Sequence, residues 1–200
     1  MKGPLFFAKI LLFGEYGIII GSKGLSIPFF FFGGRLRLTE AENETTLASN
    51  QSLCEYTKYL AGLPKDLLRL NWKALKADLD RKLYFDSNIP QGYGVGSSGA
   101  LVAAFYDRYA LEKIYPQDDL SSQKLNYLKN IFGTMESHFH GQSSGLDPLN
   151  SYLSLPLLIH SKNNIEYTGT LEQIPYGQGA VFLIDTGSSG VTAPMVSLFM

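Results

Sequence analysis

The stretch "IPQGYGVGSSGALVAAFYDRY" (89–109) constrains the chain more than any other. Glycine alternates with another residue at 92, 94 and 96, two serines follow, and an apolar run of helical character begins. Glycines open backbone conformations of positive φ and let the main chain come close to a ligand. A loop of N–H groups feeding a helix N-terminus is an anion site by its geometry and its dipole. Serine hydroxyls there add hydrogen bonds or one ligand to a magnesium ion. Taken alone, the loop is equally well a structural turn, because glycine-serine turns are common.

Three further matches are accidental by their context. Gly94-Val-Gly96-Ser-Ser-Gly99 fits the dinucleotide fingerprint, but that fingerprint follows the first strand of a βαβ unit directly, and here Ile89-Pro90-Gln91 intervenes. Gly141-Gln-Ser143-Ser-Gly145 fits the nucleophile elbow of hydrolases, which needs a strand before it and a helix after it. Here a helix precedes and Asp147-Pro148 follows, so the order is reversed and the match is read as chance. "LIDTGSSG" (183–190) fits an aspartic protease signature, yet no second copy exists for a two-lobed enzyme. Glu136 and His140 share a helix face while His138 points elsewhere as an exposed helix residue, so the three do not make a zinc site.

The totals narrow the class. A chain of 200 residues carries one core, or one domain and part of a second. With 45% hydrophobic and 18% charged residues it is globular. Its 17 basic and 18 acidic side chains are mixed along the sequence, which offers no basic face to nucleic acid. Cys54 is the only cysteine, which excludes an intrachain disulfide and a cysteine-based zinc cage and suits a reducing cytoplasmic setting. The N-terminal apolar run is broken by Lys9 and Glu15, so it reads as a strand pair and not as a signal peptide. "IPFFFFGG" (27–34) is too short to cross a membrane and reads as a buried strand closed by Gly33 and Gly34.

Periodicity sets the elements. The first forty residues, punctuated by glycines, predict a β-meander. Helices are predicted over 50–60, again around Leu67–Leu79, from about Ser98 to Glu112, and from about Leu120 to His140, where Leu125, Leu128, Phe132, Met135 and Phe139 recur at intervals of three and four. Strands are predicted over 82–90, 151–160, 165–170 and 180–186. This mixture without regular alternation is α+β.

Three segments in order, "AKILLFGEYGII" (8–19), "PQGYGVGSSGA" (90–100) and "ESHFHGQSSGLD" (136–147), resemble the GHMP kinase superfamily of galactokinase, homoserine kinase, mevalonate kinase and phosphomevalonate kinase, and among these look most like mevalonate kinase. The second segment fits the superfamily's Pro-x-Gly-x-Gly-x-Gly-Ser-Ser loop, and the third fits Glu-x-x-x-His-Gly-x-x-Ser-Gly-x-Asp. The resemblance implies a ribosomal protein S5 domain 2-like N-terminal domain over 1–178. It also implies the start of a truncated ferredoxin-like C-terminal domain over 179–200.

It implies further that Gly92, Gly94, Gly96, Ser97, Ser98 and Gly99 wrap the phosphates of ATP, and that Ser98 and Glu136 hold Mg2+. By the same likeness Asp147 faces the substrate hydroxyl with Lys9 beside it, and Glu15, Tyr16, His140 and Thr192 line the substrate pocket. The implied reaction is phosphorylation of an alcohol, most simply mevalonate. A sugar, homoserine or phosphomevalonate kinase, or a non-catalytic nucleotide-binding relative, is the alternative. Two positions depart from the pattern: Gly99 stands where alanine is usual and Tyr16 where histidine is usual. The expected partner is a small molecule, with no nucleic acid and no membrane, and a homodimer is among the assemblies left open.

Overall fold

The computed structural model describes residues 3–39, 43–168, 184, 187, 198 and 199. The elements run β1 (Phe6–Phe13), a 3-10 turn (Gly17–Ile20), β2 (Gly24–Leu38), α1 (Glu44–Ala61), α2 (Trp72–Asp80), β3 (Leu83–Ser87), α3 (Ser97–Tyr109), α4 (Ser122–His140), α5 (Leu146–Leu153), β4 (Leu157–Ser161) and β5 (Asn164–Tyr167). All pairings are antiparallel, in the order β1-β2-β4-β5, with β3 on the far half of β2. Helices α3 and α5 lie against β1 and β2 and against each other, and α4 packs on both. The fold is α+β, as the mixed periodicity predicts.

Small residues let α3 and α5 approach closely. Gly99, Ala100, Ala103 and Ala104 are all buried on α3, and a Cβ at Gly99 would stand 2.8 Å from the backbone of Asp147 and Pro148. Three edge-on rings then fix the triangle of helices: Tyr106 of α3, Phe132 of α4 and Tyr152 of α5, with centroids 5.0–5.5 Å apart. The two tyrosine hydroxyls are satisfied by one loop residue, since Tyr152 donates to Ile114 O at 2.9 Å and Tyr106 accepts from Ile114 N at 3.1 Å. The helices that carry the candidate site are thereby held by apolar packing and not by the site's own polar contacts.

Several expectations are corrected. The strand expected over 151–160 is helical to Leu153, and only Leu157–Ser161 is extended. Leu146, Leu149, Tyr152 and Leu153 have helical spacing, and Pro148 sits in the first turn, where its missing N–H costs nothing. The meander is a single hairpin around the 3-10 turn, because β2 runs through Gly33 and Gly34 for 15 residues. At Gly34 a Cβ would overlap the Phe85 ring, so glycine is what lets the strand continue across β3.

"IPFFFFGG" is not a buried strand. Register jumps from Phe7↔Gly33 to Ala8↔Phe29, which throws Phe30–Phe32 out as a bulge, with Phe31 81% exposed. Strand β3 and helix α3 are shorter than expected, α3 ending where Ala110 bridges to Leu70. The expected domain boundary at 178, the strand over 180–186 save Ile184, and Thr192 lie outside the described residues.

Candidate active site

Each glycine of the loop that the alternation singled out has positive φ: +78° at Gly92, +69° at Gly94 and +84° at Gly96. The loop is stitched to the free edge of β1 by Lys9 N donating to Val95 O at 3.0 Å. Helix α3 starts directly after Gly96 with no side-chain cap, whereas Asn43, Asn71 and Ser121 cap α1, α2 and α4. The first amides of α3 therefore have no partner from their own helix and no cap to substitute for one. Gly96 has a second task. A Cβ there would meet Lys9 Cγ at 3.1 Å and Asp147 Cβ at 3.8 Å, so its absence leaves the lane through which the lysine reaches its acid.

That pair is close and sheltered. Lys9 Nζ stands 3.1 Å from Asp147 Oδ1, with the lysine side chain 8% exposed and the aspartate 36%. Lys9 is carried by β1 and Asp147 by the first turn of α5, two elements far apart in sequence. A cation on an otherwise apolar strand requires such a partner when buried. Asp147 keeps enough exposure to meet a ligand.

Beside it lies a carboxylate of different character. Glu136, buried on α4, accepts from Ser98 Oγ at 2.8 Å on Oε1 and from Ser143 Oγ at 2.5 Å on Oε2. His140 Nε2 is 3.0 Å from Ser98 Oγ; since that hydroxyl gives its proton to Glu136, the imidazole donates. Burial, then the charge of Asp147, push the Glu136 carboxyl up to about 7, against the opposing hydrogen bonds of Ser143 and Ser98 and the charge of Lys9. Among the described residues Glu136 thus has two hydroxyl partners and no ion pair.

A hard cation fits this arrangement. A buried carboxylate without a paired cation, next to a serine hydroxyl at the mouth of an open helix, supplies the oxygen donors that magnesium prefers. No group of three or more His, Cys, Asp or Glu able to hold a metal occurs among the described residues.

Of the residues singled out from sequence, Lys9, Gly96, Ser98, Gly99, Glu136, His140 and Asp147 converge at the junction of α3, α4 and α5. Gly92, Gly94 and Ser97 frame the loop and the start of α3. Glu15 and Tyr16 sit on the turn after β1, Glu15 exposed and Tyr16 at φ +59°. His138 is not exposed as expected: it packs 5.3 Å from the Tyr56 ring and 5.0 Å from the Tyr59 ring.

Two residues escaped sequence reasoning. Ser143 had a visible signal, the Gly-x-Ser-x-Gly match dismissed as chance. The elbow itself is indeed absent, since α4 and not a strand precedes it. Tyr56 had none: it lies fully buried on α1 with its hydroxyl unpartnered among the described residues, and burial, then the charge of Glu136, raise its pKa well above the ordinary tyrosine value.

The family model described as "GHMP kinases N terminal domain" matches residues 64–154, which include the glycine loop, Glu136 and Asp147. Similar solved structures include mevalonate kinase from Methanococcus jannaschii, at 16% identity over 85% of this chain and 56% of that one, with TM-score 0.49. The mevalonate kinase of methicillin-resistant Staphylococcus aureus MRSA252 is 19% identical over 86% and 56%, with TM-score 0.46. That of L. major, in complex with R-mevalonate, is 18% identical over 84% and 51%, with TM-score 0.49. The chain therefore spans little more than half the length of these structures. No curated protein matches by sequence. The glycine loop, the Glu136 segment and Asp147 all lie inside the region that is similar to the N-terminal domain of GHMP kinases.

Proposed function

We propose that the protein is an ATP-dependent kinase of a small alcohol, and that the alcohol is mevalonate, phosphorylated at its terminal hydroxyl. The observation that carries the reading is the meeting of two differently partnered carboxylates at an uncapped helix start: Asp147 paired with Lys9, and Glu136 held by two serine hydroxyls. Phosphoryl transfer asks mainly for positioning and charge neutralisation, and these parts answer both needs.

In this reading the amides after Gly96, with Ser97, hold phosphate oxygens, and the left-handed glycines keep side chains out of their way. Ser98 and Glu136 hold magnesium, which when bound offsets the negative charge of the phosphates. Asp147 accepts the proton of the substrate hydroxyl as its oxygen bonds to the transferred phosphorus and the bond to the departing diphosphate breaks. Lys9 fixes the carboxylate in place; two unit charges about 4 Å apart attract by about 4 kcal/mol at an effective dielectric of 20. His140 orients Ser98. Glu15, Tyr16 and Thr192 belong to the acceptor pocket by resemblance, and mevalonate is named on the likeness of the three sequence segments to mevalonate kinase. Tyr16 in place of the usual histidine is the one feature that favours a different alcohol.

The test is ADP release by the whole protein over mevalonate, galactose, homoserine and phosphomevalonate. Turnover with mevalonate is expected, and Asp147→Ala is expected to reduce it about a thousandfold with folding intact. Turnover with another of the four would move the substrate and keep the class. Release with none of them, although nucleotide binds, would make this a non-catalytic relative.

A further inference from the structure

Glu136 accepts from two hydroxyls, and only one of them has a role so far. Ser98 is placed to share magnesium with Glu136, so its hydrogen bond to Oε1 has to give way when the ion arrives. Ser143 is different. It reaches the other oxygen, Oε2, at 2.5 Å, and the same hydroxyl accepts from Gly145 N at 3.0 Å. Gly145 is the residue from which α5 starts, and Asp147 lies two residues on. One hydroxyl thus connects the carboxylate on α4 to the helix that carries the base.

The hydroxyl is only one of the contacts that keep its own segment in place. Ser143 N donates to Ser137 Oγ at 3.3 Å, and Ser137 Oγ is itself anchored on Gly133 O at 2.7 Å. A Cβ at Gly133 would lie 3.0 Å from Ser143 O, and one at Gly145 would stand 2.6 Å from Gly133 N and overlap Lys129 O. Residues 143–145 therefore rest on α4 through backbone contacts that a missing hydroxyl leaves untouched. What the hydroxyl adds is the bond that aims Glu136 and the acceptor for Gly145 N.

We propose that Ser143 is a positioning residue: it fixes Oε2 of Glu136, leaves Oε1 to face the metal, and ties that carboxylate to the start of α5 so that the metal side and the base side of the site keep one geometry. This rests on the reading of Glu136 as a magnesium ligand. Outer partners of ligating carboxylates orient the ligand, and their loss typically weakens metal affinity 10- to 100-fold.

The experiment titrates Mg2+ into the full chain at a fixed concentration of a fluorescent ATP analogue, for the parent protein, Ser143→Ala and Ser143→Thr. The expected result is a magnesium midpoint about tenfold higher in Ser143→Ala, nucleotide binding without magnesium unchanged, and recovery in Ser143→Thr, which keeps the hydroxyl. A lower melting temperature for Ser143→Ala with an unmoved magnesium midpoint would overturn the proposal and leave Ser143 purely structural. If the parent protein itself shows no magnesium dependence, the kinase reading of the site falls first and this proposal with it. The two failures are therefore distinguishable.

Discussion

Helices α1 and α3 begin in opposite ways. At α1, Asn43 Oδ1 accepts from Thr46 N at 2.9 Å and Thr46 Oγ1 accepts from Asn43 N at 3.1 Å, a reciprocal box that satisfies the exposed donors of the first turn. At α3 the corresponding residue is Gly96, which has no side chain to offer and holds φ +84°. The difference follows what surrounds each end. The box at α1 is exposed, and closing it gains stability; the start of α3 faces Lys9, Asp147 and Glu136, and closing it would fill the place that the proposed kinase reading gives to phosphate. Helix α5 is intermediate, since Ser143 and Ser144 hydroxyls take the amides of Gly145 and Leu146.

The comparison breaks most severely at the glycines. Gly145→Ala puts a Cβ onto Lys129 O and 2.6 Å from Gly133 N, in a residue at φ +74°. Overpacking against backbone and left-handed strain together are expected to cost about 4 kcal/mol, which denaturant unfolding would read as a large fall in midpoint. Gly96→Ala should cost less, about 2 kcal/mol, because its tightest neighbour is the flexible Lys9 chain at 3.1 Å. It should still cut nucleotide binding, since the displaced lysine moves with Asp147. Gly94→Ala serves as the control: φ is +69° but a Cβ there meets nothing. Equal losses at 94 and 145 would show that strain alone, and not close approach, governs these positions.

How much of this was visible in the sequence depends on whether the cause was local. The glycine loop was legible because positive φ leaves few residue choices; that Lys9 needs an acid was legible because it is a cation on an apolar strand, while Asp147 as that acid came from the family resemblance. The helical start of 151–160 was hidden by Asp147-Pro148, which reads as a turn from neighbours alone and as a helix first turn once α3 provides a surface to pack on. The exposure of Phe30 and Phe31 comes from a register jump between β1 and β2, which no property of "FFFF" itself encodes. Ser143 was missed for the same reason: its partner Glu136 comes from the preceding helix, and only the backward fold of 141–145 onto α4 joins them.

The open end also has an electrostatic cost that pH can expose. Glu136 holds its proton in the folded protein up to about pH 7, whereas an unfolded glutamate releases it near 4.5. Its contribution therefore favours folding fully below the unfolded value and is lost as pH rises through about 7. In magnesium-free buffer, Glu136→Gln should gain melting temperature relative to the parent between pH 4.5 and 8, with little difference at the acid end. A constant difference across that range would mean that Glu136 is not the strained carboxylate of the site.

The smallest effect belongs to the closed end, and it is the one that separates stability from function most cleanly. Asn43→Ala removes one acceptor from the first turn of α1 and releases Thr46 from its reciprocal bond, a change worth about 1 kcal/mol. The turn is exposed, so water replaces part of what is lost. Thermal melting should register the loss while the affinity for nucleotide and its magnesium dependence stay at the parent values. A fall in nucleotide affinity would mean that the α1 start communicates with the site through the β3 strand that α1 packs against, and that the two helix ends are not independent.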